Sequence, residues 1–101
     1  MAADYAREKF TAGIYILAEG EGGIRQRLLD AYVAQVSQAR PDKALPPDVS
    51  KRIDALRRQM TSVAQRGEEG SIAATVGAMQ DDEVVAAARE IVRIALELQN
   101  A

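Results

Sequence analysis

Cysteine and histidine are both missing from the 101 residues. Without thiols the chain has no disulfide framework, no thiolate nucleophile and no zinc-thiolate site. Without imidazole it loses the commonest general base and the commonest protein metal ligand. Every Ser-His-Asp or Cys-His arrangement goes with it, as does the Glu-x-x-His pattern of bundle di-iron sites. Carboxylate, lysine, tyrosine and serine chemistry is what remains. The carboxylates gather at Glu68-Glu69 and at Asp81-Asp82-Glu83. Both clusters fall at predicted turns or helix starts, where capping and solvation account for them. No EF-hand spacing is present. The expectation is a chain with no enzymatic activity, no cofactor and no metal site.

Long apolar runs are also missing. No stretch of about 18 apolar residues appears, and the N-terminus lacks a charged-then-apolar signal pattern. Nor does any segment alternate apolar and polar residues long enough to suggest a strand, or repeat itself at a useful period. Together with the absence of cysteine, this sets the expectation of a soluble, cytoplasmic, bacterial protein with no membrane partner. The length suits one domain over residues 1–101. A chain of this size can bury roughly two-thirds of its unfolded surface, enough for a core without a staple.

What is present is a strong helical signal, most of all in residues 81–99, DDEVVAAAREIVRIALELQ. At about 100° per residue, Val84, Val85, Ala87, Ala88, Ile91, Val92, Ile94, Ala95, Leu96 and Leu98 cover an arc of roughly 200°. Arg89, Glu90, Arg93 and Glu97 crowd into the rest. A surface helix shows a narrower stripe, on the order of 100°. This helix is therefore expected to be shielded around more than half its circumference, either as the central helix of a bundle or with a second subunit covering part of it. Asp81 is expected to cap its start.

The rest of the chain predicts three further helices and a short fourth. Residues 3–19 carry Ala6, Phe10, Gly13, Ile14 and Leu17 on one face. Gly13 costs helix propensity and is expected to let another helix approach closely. A weaker second stripe, Tyr5, Ala12 and Ile16, is expected on the opposite side of this helix. It is either scattered surface apolars or a subunit contact. Gly20-Glu21-Gly22-Gly23 breaks the pattern. Lacking a preceding strand and a following Gly-Lys-Ser/Thr, it meets neither phosphate-loop fingerprint.

The second helix is predicted over residues 24–39, with Ile24, Leu28, Tyr32 and Val36 inward and Leu29 and Val33 widening the face. Arg25 falls inside that apolar arc and needs an anion: Glu19, Glu21, a carboxylate of the C-terminal region, or a ligand carboxylate or phosphate. Arg27 is expected to be solvated. Pro41 ends the helix, Leu45 should tuck into the core, and Pro47 suits the first position of a third helix. That helix is predicted over residues 48–65, with Val49, Ile53, Leu56, Met60 and Val63 inward and Asp48–Arg52 and Asp54–Arg58 as i, i+4 pairs. Ser71 should cap a short helix over residues 72–79 that points Ile72, Val76 and Met79 one way.

Charge is unevenly spread. Residues 1–23 carry net −2, residues 24–66 net +5 and residues 67–101 net −5. The basic middle segment either packs beside the acidic C-terminal part or presents Arg25, Lys51, Arg52, Arg57 and Arg58 to nucleic acid. No aromatic residue lies among the basic residues between positions 51 and 66 to stack on bases.

The expected fold is thus an all-α bundle of four to five helices, antiparallel where loops are short, with a long, largely buried C-terminal helix. The expected function is protein–protein interaction with self-association as a homodimer, through Tyr5, Ala12, Ile16, Val85, Val92 and Leu96. The alternative is a nucleic-acid-associated regulator using the basic 24–66 segment.

Overall fold

Five α-helices and one short 3-10 turn make up the regular structure of residues 2–100, the part described by the computed structural model; residues 1 and 101 lie outside it. The helices are α1 (Ala2–Glu19), α2 (Ile24–Ala34), α3 (Pro47–Met60), α4 (Glu68–Ala78) and α5 (Asp81–Gln99), and the 3-10 turn is Val36–Gln38. The chain is an all-α bundle, and among the described residues no helix is long and apolar enough to cross a membrane.

α5 forms over the bounds its sequence predicts, and it packs on α1, α2 and α3. Its start is closed by Gln80 rather than Asp81: the Glu83 carboxylate accepts a 2.8 Å bond from the Gln80 backbone N–H. Val84, Ala87, Ala88, Ile91, Ile94, Ala95 and Leu98 are buried. These span an arc of roughly 120°. The expected 200° arc therefore divides in two, because Val85, Val92 and Leu96 remain exposed. Within one chain, shielding around more than half the circumference is not reached.

α1 lies antiparallel to α5 and to α2. The Arg7 Nε donates to the Leu98 carbonyl at 3.0 Å, while Arg27 reaches the Leu17 carbonyl and Lys9 reaches Gln35. Gly13 sits at the crossing. A Cβ there would lie 2.6 Å from Val36 Cγ2 and 3.9 Å from Ile91 Cγ2. The expected close approach is real, and the partner is the 3-10 turn as well as a helix.

α4 departs from the antiparallel rule. Only Met79-Gln80 joins it to α5, yet it packs on α2 and α3. Both joint residues hold extended backbone (Met79 φ −66°, ψ 144°; Gln80 φ −68°, ψ 158°), so the chain does not turn back along α4.

Three helix boundaries differ from the periodicity, each for a local reason. α2 stops at Ala34, and the Ser37 hydroxyl and Gln38 amide donate to the Val33 and Ala34 carbonyls, satisfying orphan acceptors as the turn tightens. α3 stops at Met60, five residues early. The Thr61 hydroxyl donates to the Arg57 carbonyl, and the backbone N–H groups of Val63 and Gln65 find partners on α4. Val63 N–H bonds the Thr75 hydroxyl at 2.9 Å and Gln65 N–H bonds Ser71 Oγ at 3.1 Å. Val63 is consequently exposed rather than in the core face. α4 begins at Glu68, led by Gly67 at φ +77°, a left-handed turn that glycine adopts without strain. Ser71 is thereby placed inside α4 as a buried tether, not at its cap.

Candidate interaction surface

The exposed strip of α5 borders α1. Ile14, Leu17 and Ala18 of α1, Ile24 at the start of α2, and Val85, Ala88 and Val92 of α5 line a shallow groove that is almost entirely apolar, rimmed by Arg89. Leu96 (58 % exposed) and Tyr15 (62 % exposed) continue the surface toward the α5 C-terminus, beside a second hollow between Tyr15, Thr11 and Gln99. Large exposed apolar side chains scattered singly are ordinary, whereas contiguous ones mark interaction sites. Here four of them, Tyr15, Val85, Val92 and Leu96, fall on one face built by two adjacent helices.

Of the six interface residues expected from sequence, the three on α5 lie on this face, Ala12 of α1 lines its second hollow, and Tyr5 and Ile16 lie elsewhere. Tyr5 and Ile16 line the flank of α1 that turns toward α2 and the 3-10 turn. The Tyr5 hydroxyl donates to Gln38 Oε1 at 3.3 Å, the Lys9 ammonium stands over the Tyr5 ring, and Ile16 packs against the core. Sequence reasoning missed Tyr15 and Ala18, and placed Ile14 in the core although it is only half-buried. The usable signal was angular. Ile14, Ala18 and Tyr15 follow one another around the α1 wheel on the flank away from Tyr5 and Ile16.

The expected cationic residues are largely committed to the fold. Arg25 donates to the Val76 and Met79 carbonyls at 2.6 and 2.7 Å and to Asp81 at 2.8 Å, closing the C-terminal end of α4. Its anion is thus a backbone end plus a carboxylate of α5, not Glu19 or Glu21. Arg52 turns away from Asp48 and grips Glu90 bidentately, at 3.0 and 2.8 Å, with Glu97 on its third nitrogen. Hydrogen bonding to Glu90, ahead of every other influence, raises its pKa above the ordinary arginine value.

Arg57 donates to the Ser37 carbonyl at 2.8 Å and grips both oxygens of Glu68. Arg58 pairs with Asp54 as expected, at 2.5 Å, and Lys51 is exposed. Arg27 is not solvated: it is half-buried, and its Nη1 donates to the Leu17 carbonyl at 2.8 Å. Of the nine cations in the basic middle segment, Arg25, Arg40, Arg52 and Arg57 pair with carboxylates of the acidic C-terminal part.

Fold and surface together define a small helical-bundle domain with one unpartnered apolar face. Comparison with known proteins finds no matching family model, no matching curated protein and no matching solved structure.

Proposed function

We propose that this chain is a non-catalytic protein-interaction module of the cytoplasm that self-associates through its α1–α5 face. The supporting observation is the exposure of Val85 and Val92 in the apolar groove, with Leu96 on the same strip of α5 and Tyr15 at the neighbouring hollow. Two helices about 27 Å long and roughly 10 Å apart offer on the order of 500 Å² per copy. That makes about 1,000 Å² in all, at the low end for a specific interface, so association in the micromolar range is expected. The non-catalytic part rests on composition and on the use of the carboxylates. Glu68, Glu83 and Asp81 serve Arg57, the Gln80 N–H and Arg25 respectively.

Sedimentation or light scattering across about 1–200 µM tests it. The expected mass rises toward twice that of the chain, and Val92→Glu with Leu96→Glu returns it to one. A single-chain mass throughout overturns the proposal. Nucleic-acid binding has less support, because Arg25, Arg52 and Arg57 are held in intramolecular bonds. A titration with duplex and single-stranded DNA at low salt is expected to show no saturable binding.

A further inference from the structure

The apolar groove runs between two rims of opposite charge. On the outer side of α1, Glu8 and Glu19 are three turns apart and fall within about 20° of one line. On the outer side of α5, Arg89 and Arg93 are one turn apart. All four are exposed, and none joins any ion pair among the described residues. The remaining rim acids lie at the ends: Asp4 is paired with Arg7, and Asp82 opens the first turn of α5.

We propose that the occupant of this groove is a second copy of the chain, related by a two-fold axis running along the groove, so that each α1 lies over the other copy's α5. This rests on the self-association reading above and fixes its geometry. A two-fold axis parallel to the helices keeps each residue at its own height. It also exchanges the rims, so the acidic rim of each copy meets the basic rim of the other.

The heights agree. Gly13 beside Ile91 sets the register of the antiparallel α1–α5 pair. Counting outward, Arg93 stands level with position 11 and Arg89 level with position 15. Each arginine then falls within about one helical turn, ~5 Å along the axis, of a glutamate: Arg93 of Glu8 and Arg89 of Glu19. The two-fold produces four such Glu–Arg pairs around an apolar centre. Turning the axis across the helices instead would set α1 on α1 and α5 on α5, acid against acid and base against base. Electrostatic complementarity selects register and orientation in this way even where it adds little affinity.

The experiment is a charge swap read by sedimentation. Glu8→Arg with Glu19→Arg should weaken association about tenfold or more, and Arg89→Glu with Arg93→Glu should do the same. All four changes in one chain should restore it, because a basic α1 then meets an acidic α5. Restoration is the decisive result, since the crosswise axis leaves the four-fold variant with like charges facing.

A dimer indifferent to either double change, or one not restored by all four, overturns the arrangement while leaving self-association standing. A wild-type chain that never exceeds one-chain mass overturns both. Should a variant fail to fold by circular dichroism, the wild type decides alone. Raising salt from about 50 to 500 mM should loosen its dimer, and a dimer unchanged or tightened by salt refutes the pairing.

Discussion

The Arg52 guanidinium and the Glu90 carboxylate meet edge to edge, two hydrogen bonds of 3.0 and 2.8 Å tying α3 to α5. The planar fork of arginine matches the carboxylate, and lysine cannot reproduce it. Both side chains are about 30 % exposed, which screens the pair and limits its worth. Arg52→Ala is therefore expected to cost about 1 kcal/mol and Arg52→Lys at least half of that. Urea unfolding should show the midpoint falling with an unchanged slope. A loss within about 0.3 kcal/mol of zero would remove this pair from the fold's support.

Gly13 and Val36 make a second testable contact. In an open helix position glycine to alanine gains about 1 kcal/mol. Here the new methyl would stand 2.6 Å from Val36 Cγ2, so Gly13→Ala is expected to destabilise instead. The expected cost is about 1–3 kcal/mol from overpacking. Val36→Ala opens a small cavity and is destabilising alone. Combined with Gly13→Ala it should cost less than the sum, a coupling that a double-mutant cycle measures directly.

How much of this the sequence discloses follows from what helical periodicity encodes. The inward residues of four helices, from Phe10 and Leu28 to Ile53 and Ile91, are set by 3.6-residue spacing, and they are buried. What spacing does not encode is which flank of a helix meets which neighbour. Tyr5 and Tyr15 both sat outside the core stripe of α1, and only packing shows that Tyr5 turns to α2 while Tyr15 borders α5. Arg52 had an equally good local partner in Asp48, and the nearness of Glu90 across the bundle decided against it. The early end of α3 depends on Thr75 and Ser71, which act from another helix. Long-range hydrogen bonds of that kind leave no periodic trace.

Arg25 closes α4 from outside. Helix ends leave carbonyls short of donors, and here the Val76 carbonyl, which also takes the Met79 N–H, and the Met79 carbonyl just beyond α4 accept from Arg25 Nη1. Arg25→Ala should leave them without this donor and destabilise by about 1–3 kcal/mol. Asp81 is fully exposed, so Asp81→Ala should change stability much less than Arg25→Ala does. Hydrogen exchange localises the effect: the amides of α4 should lose protection in the Arg25 variant ahead of those of α5.

Tyr32 gives the fold an alkaline limit. Its side chain is 2 % exposed, and burial, opposed by nearby Arg57, pushes the phenol from 10.0 up to about 12. Ionising it inside the bundle is disfavoured, so the folded state holds the proton after the unfolded chain has released it. The stabilising contribution is therefore complete below pH 10 and declines as pH rises from about 10 to 12. The full loss is on the order of 2–3 kcal/mol. The difference between the wild type and Tyr32→Phe isolates the phenol. Between pH 9 and pH 11.5 the wild-type unfolding midpoint should fall more steeply than that of Tyr32→Phe, and parallel curves would mean that the hydroxyl reaches water in the folded state.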